Sequence, residues 1–345
     1  MTPLRRSALM IGSAAAAATL AVAAMRRRRP PMNLRGKVVL ITGGSHGLGL
    51  ALARQFARQG CHLVICARSE KELELARQDL RRYSIEDAFT VECDVSDCRQ
   101  VDQLISAAID RFGRIDILVN NAGVIRVGPV ESMTIQDFQT AMDVMFWGTV
   151  YTTLAVLPHM RCREQGRIVN ITSVGAKVSI PHLIPYSCAK FACAAFSEGM
   201  RAELQGTGIK VVTIAPGLMR TGSHLNAVFH GAEEGEAAWF SLGASLPVIS
   251  MNAERAARMV VAATARGTAE QVLGSPAKML ALFHGIFPGL SADLLGLISR
   301  ALPHGSQRTE RGGDSPILRT LLMKALTTLG RNAAKRLLQP DARKA

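Results

Sequence analysis

Val38-Val39-Leu40-Ile41-Thr42-Gly43-Gly44-Ser45-His46-Gly47-Leu48-Gly49 decides the fold. The apolar run Val38 to Thr42 reads as a strand buried on both faces, and the glycines at Gly43, Gly47 and Gly49 lead into an amphipathic helical stretch, Leu48 to Gln59. Glycines so placed let the backbone turn tightly and approach a pyrophosphate, whose charge is met by N–H groups exposed at the helix N-terminus. Taken alone, the same turn is compatible with a plain strand-to-helix connection.

Working outward, apolar β-type runs alternate with helical stretches such as Glu70 to Tyr83 and Val101 to Phe112. Six further runs read as strands: His62 to Cys66, Ala88 to Glu92, Ile115 to Asn120, Gly166 to Thr172, Lys210 to Ala215 and Gln271 to Leu273. That alternation predicts an α/β chain with a Rossmann-type, doubly wound parallel sheet of about seven strands. The expected organisation is a hydrophobic segment and basic linker over residues 1–32, one catalytic domain over 33–274, and an apolar then basic, amphipathic helical extension over 275–345.

The net charge of +14 belongs to the ends of the chain. Residues 1–37 carry 8 Lys/Arg and no Asp/Glu, residues 305–345 carry 9 and 3, and the middle balances at 24 of each. With aromatics at 5%, no basic groove interleaved with stacking rings is in view, so no nucleic-acid partner is expected. Seven cysteines without a C-x-x-C pair suit buried thiols in a reducing compartment, neither a disulfide framework nor a zinc site.

Ala8 to Met25 is uncharged for 18 residues and would span about 27 Å as a helix, close to the roughly 30 Å of a bilayer core. Nine of the 18 are alanine, which makes insertion marginal. Arg26 to Arg29, just past it, place the downstream domain on the cytoplasmic side of a membrane anchor. Arg5-Arg6 and the small residues at Ala21 to Ala23 leave an export signal open, and an alanine-rich tail on a cytoplasmic protein is the third reading. Leu280 to Leu302 is apolar but interrupted by Gly285, Pro288 and Gly289, which fits a lid or an interfacial segment better than a straight spanning helix. From Leu318 to Arg336, leucines at helical spacing with basic residues elsewhere predict a helix that lies on an anionic membrane or docks on protein.

The second strand ends at Ala67-Arg68, where an acidic residue would select NAD; Arg68 favours the 2'-phosphate of NADP(H), with His46 in mild support. Asp94 and Val95 close the third strand and Asn120-Asn121-Ala122-Gly123 the fourth, at the sheet edge where ligands bind in open α/β folds. Ser173 ends the fifth strand, and Tyr186 and Lys190 follow four apart on one helical face. An ammonium beside a phenol favours phenolate, so Tyr186 can exchange a proton with a substrate oxygen that Ser173 hydrogen-bonds, while hydride moves to or from a nicotinamide.

As a set, T-G-x-x-x-G-x-G, N-N-A-G, a serine thirteen before Y-x-x-x-K, and Pro216-Gly217 with Thr221 resemble the short-chain dehydrogenase/reductase family over about Asn33 to Gly274. The resemblance implies a Rossmann-type oxidoreductase acting on a carbonyl or secondary alcohol, often oligomeric through pairing of the tyrosine-bearing helix. It gives Ser173, Tyr186 and Lys190 the catalytic roles, with Lys190 also holding the nicotinamide ribose. Gly43, Ser45, Gly47, Leu48 and Gly49 would border the pyrophosphate, Asp94 and Val95 the adenine, Asn120 the adjacent ribose region, and Pro216, Gly217 and Thr221 the nicotinamide end. One departure matters: many members carry a relay asparagine where this chain has Met145. That departure keeps open a cofactor-binding sensor or scaffold with little turnover. An isomerase or dehydratase that reuses the tyrosine is a third alternative.

Overall fold

A computed structural model describes residues 30–83, 88–303, 309–311 and 327–339. The anchor expectation for Ala8 to Met25, the cleavage site at Ala21 to Ala23 and the leucines at 318, 321 and 322 lie outside them. The described residues from Leu34 onward belong to one unit, and Pro30–Asn33 belong to another.

All seven expected strands form one sheet. They are β1 (Val38–Thr42), β2 (His62–Ala67), β3 (Phe89–Glu92), β4 (Ile117–Asn120), β5 (Gly166–Ile171), β6 (Ile209–Pro216) and β7 (Glu270–Leu273). Every pairing is parallel, in the order β7-β6-β5-β4-β1-β2-β3. Such an order reverses direction between β1 and β4, and the crevice at that switch point is where a doubly wound sheet binds ligands. β1 and β4 are buried throughout because helices cover both faces, so they read as continuous apolar runs.

The covering helices are α1 (Gly47–Arg58), α2 (Glu70–Arg81), α3 (Cys98–Phe112), α4 (Ile135–Met142), α5 (Gly148–Cys162), α6 (Ile184–Glu203), α7 (Glu233–Ser245) and α8 (Ala253–Arg266). Their ends follow local chemistry. Ser69, Asp97 and Asn252 accept backbone N–H groups at the N-caps of α2, α3 and α8, while Gly113 and Gly267 close α3 and α8 in the left-handed region. Between α4 and α5 the chain takes a wider π turn, Asp143–Trp147.

Leu280 to Leu302 is not one helix: α9 (Ser275–Ile286) and α10 (Pro288–Ala301) meet at Phe287, where Pro288 cannot continue the hydrogen bonding of the helix before it. The last helix, α11 (Thr328–Arg336), docks on α7 and on the segment after β6. Of the seven free cysteines, four are buried, as expected of most of them (Cys61, Cys66, Cys93 and Cys193), whereas Cys98, Cys162 and Cys188 are exposed.

Candidate active site

The glycine-rich turn is a cradle that side chains would fill. Gly43 and Gly47 have φ of +62° and +59°, and a methyl group on Gly49 would collide with the Gly43 carbonyl. Asn121 braces the turn through Nδ2, which donates to the carbonyls of Thr42 (3.0 Å) and Gly43 (3.1 Å). Thr42 Oγ1 in turn accepts the N–H groups of Asn121 (2.9 Å) and Ala122 (3.0 Å). The N-N-A-G motif gives no local sign of this brace, because its partners lie far upstream in the chain. Asn120, assigned to the ribose region, turns its amide inward: Nδ2 donates to Thr153 Oγ1 (3.1 Å) and Asn170 Oδ1 (2.9 Å), and Oδ1 accepts from Thr152 Oγ1 (2.7 Å).

Beyond β2 the turn acquires charged neighbours. Ser45 Oγ lies 2.9 Å from His46 Nδ1 and donates to Glu72 Oε2 at 3.2 Å, and His46 Nδ1 is also 3.2 Å from that carboxylate. Hydrogen bonding from His46 chiefly holds the Glu72 carboxyl below its ordinary range, and the nearby Arg68 guanidinium adds to the effect. Glu72 was not singled out from sequence. In Ser69-x-x-Glu72 it completes a capping-box pattern, and the structure sends its carboxylate to the glycine-rich turn. Asp94 Oδ1 accepts from the backbone N–H (3.0 Å) and Oγ (2.7 Å) of Ser96. Val95 is buried against Gly148, at the start of α5.

The residues expected to carry proton transfer come together at the carboxyl edge of β5. Ser173 caps a short 3-10 turn, and its Oγ accepts the Gly175 N–H at 3.0 Å. A methyl group on Gly175 would lie 3.3 Å from Ser173 Oγ and 3.4 Å from Tyr186 Cε1, so hydroxyl and ring converge on one glycine. Pro185 sits in the first turn of α6, where its missing N–H costs nothing, and fixes where Tyr186 enters the helix. One turn on, the Lys190 side chain is 5% exposed; Nζ donates to the Ile171 carbonyl (2.8 Å) and lies 5.8 Å from the Tyr186 ring centroid.

Around Tyr186 the surroundings are apolar. Ile125, Ile180, Trp239 and Leu242 pack with Leu183 and Phe240 on one side, and Met145, 1% exposed, packs with Ala141 and Ala189 on the other. Met145 thus fills the expected relay position with a thioether. A buried pair ties α7 to the loop before Tyr186: His182 Nδ1 lies 2.6 Å from Glu236 Oε1, and Trp239 Nε1 donates to Glu236 Oε2 at 2.6 Å. His182 holds a φ of +61°, unusual for a side chain of its size, and this pairing helps offset the cost.

At the other lip, Gly217 donates its N–H to the Leu273 carbonyl (2.9 Å) and has Ala277 where its side chain would be. Thr221 is buried, and its Oγ1 accepts the Ser223 N–H at 3.3 Å. The far end of the chain reaches this crevice too, because the Leu337 carbonyl accepts the Gly47 N–H at 2.9 Å. The glycine cradle, the helix N-terminus behind it and the basic groups near Ser45 fit a dinucleotide phosphate.

Known proteins resemble this chain in sequence and fold. The chain is 42% identical over 200 residues to a dehydrogenase/reductase SDR family protein 7-like of Anopheles gambiae (57% of this chain, 63% of that protein). It is 37% identical over 190 residues to an 11-beta-hydroxysteroid dehydrogenase-like 3 of Arabidopsis thaliana (55% and 61%). These matches span about three fifths of the relatives' length. Among solved structures, a short-chain dehydrogenase of Streptomyces avermitilis superposes with a TM-score of 0.66 at 28% identity, covering 77% of this chain and 98% of its own. L-sorbose reductase of Gluconobacter frateurii, complexed with NADPH and L-sorbose, gives 0.63 at 26%, covering 70% and 97%. The short chain dehydrogenase family model matches residues 37–228, which run from the first strand through the tyrosine-bearing helix and on past Thr221. The chain belongs to that family of oxidoreductases.

Proposed function

We propose that this chain is an NADP(H)-dependent oxidoreductase that interconverts a carbonyl group and a secondary alcohol on an apolar molecule, in the reducing direction in the cell. The observation that carries the reading is the convergence of the Ser173 hydroxyl and the Tyr186 ring on Gly175, with the Lys190 ammonium beside the ring. The nicotinamide, when bound, supplies or accepts the hydride. Tyr186 gives its phenolic proton to the developing alkoxide during reduction and recovers it during oxidation. Ser173 donates a hydrogen bond to the same oxygen, and Lys190 stabilises the phenolate left behind.

The apolar wall of Ile125, Ile180, Leu183, Trp239 and Phe240 supports a hydrocarbon-rich substrate, as do the steroid-dehydrogenase names of the Arabidopsis relatives. Arg68, His46 and Ser45 support the 2'-phosphate of NADP(H), and the NADPH held by the sorbose reductase supports the same choice. The direct test is a cofactor-oxidation screen of the purified full chain against ketones and aldehydes of graded chain length. Loss of NADPH absorbance that strengthens with chain length is expected; no turnover on any carbonyl, with NADPH bound, would favour the alternative. That alternative, a cofactor-binding sensor with little catalysis, draws on the thioether of Met145 at the relay position.

Membrane association belongs to the same proposal. Met279, Leu282, Leu294, Leu297 and Ile298 of α9 and α10 are 44–72% exposed, and Ile286, Phe287 and Leu290 at the tip of the hairpin are 50–58% exposed. Among the described residues no helix is long and apolar enough to cross a membrane. At about 18 and 21 Å, helices of 12 and 14 residues fall short of the roughly 30 Å core, yet a hairpin of that depth fits one leaflet. Helices apolar on most sides need an apolar medium, and these find little of it among the described residues. The occupant of that face is therefore taken to be lipid.

A further inference from the structure

The C-terminal segment reaches the catalytic unit at a place the proposed function needs free. α11 carries small residues on its buried side: Gly330 sits against Ser245 Oγ and 3.1 Å, measured from an added methyl, from the His224 ring. Ala334 lies so close to Gly222, whose φ is +80°, that any side chain there would collide with it. After the helix, Leu338 takes a left-handed φ of +52°, and the Gln339 N–H returns to the Ala334 carbonyl (3.0 Å). That reversal brings two groups onto the glycine-rich turn. The Leu337 carbonyl accepts the Gly47 N–H, and Gln339 Nε2 lies 2.7 Å from where a Gly47 methyl would stand, while Gln339 Oε1 accepts from Asn226 Nδ2.

Gly47 is the first residue of α1, so its N–H is one of the few amides that no helical carbonyl can satisfy. Those amides are what a helix N-terminus offers an anion. A carbonyl oxygen placed on one of them presents partial negative charge where the phosphates would come, and a side chain lies over the glycine that keeps the approach open. Both cannot share the seat with a pyrophosphate.

We infer that residues 327–339 form a strap across the cofactor crevice, and that a dinucleotide binds only when the strap leaves Gly47. The inference rests on the dinucleotide reading of the site above. The strap is seated but not tightly matched. His224 Nδ1 and Ser245 Oγ beneath it are buried without a hydrogen-bond partner, and burial, with the neighbouring Arg336 guanidinium adding to it, lowers the pKa of Arg220. On the holding side, Arg54 donates to the Arg336 carbonyl at 2.6 Å. Each orphaned polar group carries a desolvation cost that release into water would lift.

Two full-chain variants test this, Gly330→Leu and Ala334→Leu, which drive a side chain into Ser245 and Gly222 respectively and so unseat the helix. Circular dichroism and a thermal melt report whether the sheet domain stays folded. NADPH fluorescence titration is expected to give a dissociation constant about tenfold lower in both than in the unaltered chain. Hydrogen–deuterium exchange over 327–339 of the unaltered chain is expected to rise as NADPH saturates. Equal or weaker NADPH binding by two folded variants would overturn the strap, as would exchange that is unchanged or slowed by NADPH. If neither the unaltered chain nor the variants bind NADPH or NADH, the dinucleotide reading fails and takes this inference with it.

Discussion

Glu72 bears on the proposed cofactor choice more than its place on a surface helix suggests. Its carboxylate lies on Ser45 and His46 and is held low in pKa partly by Arg68, the three groups proposed to take a 2'-phosphate. A second negative charge a few ångströms away costs on the order of 1 kcal/mol in a water-exposed site. Glu72→Gln is accordingly expected to tighten NADPH by about fivefold and to leave NADH within twofold, read by fluorescence titration; tightening of NADH alone would contradict this assignment. His224 offers a separate check. Burial, helped by the Arg331 guanidinium, pushes its pKa down to about 4, so the folded chain keeps the imidazole neutral while an unfolded chain protonates near pH 6.5. Stability from this group is complete above that pH and declines as the pH falls toward 4. Urea unfolding at pH 5.0 should show about 2 kcal/mol less stability than at pH 7.5 from His224, and His224→Leu should remove that part of the slope.

Strands, helices and turns differ in how much of them the sequence reveals. The seven strands and the helices after them were legible because residues that alternate between core and cover leave a pattern within a few positions of one another. Gly43 to Gly49, Ser173, Tyr186 and Lys190 were legible for the same reason: their chemistry depends on local spacing. What escaped is non-local. The buried polar chain runs from Thr152 and Thr153 through Asn120 and Asn170 to Ser197 and Thr213, joining β4, β5 and β6 to α5 and α6, and apart from Asn120 none of its members stands out in sequence. Asn170→Ala would leave Asn120 Nδ2 with one partner fewer and take from Ser197 Oγ the amide that donates to it, at an expected cost of about 2–3 kcal/mol in urea unfolding. Gly330 and Ala334 likewise read as ordinary small residues of a helix, and their value lies in fitting Ser245 and Gly222 far upstream.

For the molecule as a whole, charge and apolar surface are each concentrated in particular stretches of the chain. The central part of the chain is neutral, the basic excess sits at its ends, and the exposed hydrophobic residues of α9 and α10 gather on one hairpin. Flotation of the full chain with phosphatidylcholine vesicles is expected, and Leu282→Asp combined with Leu297→Asp should reduce the vesicle-bound fraction several-fold. Unchanged flotation of that pair would remove the hairpin from membrane binding; a concentration-dependent dimer that the pair abolishes would assign the face to a second copy. The catalytic assignment is tested most directly by Tyr186→Phe, which removes one oxygen atom and keeps the ring. With the best carbonyl from the screen, NADPH should bind this variant as it binds the unaltered chain while kcat falls by about a hundredfold or more. Turnover at the unaltered rate in a folded, NADPH-binding Tyr186→Phe chain would contradict proton transfer by this phenol.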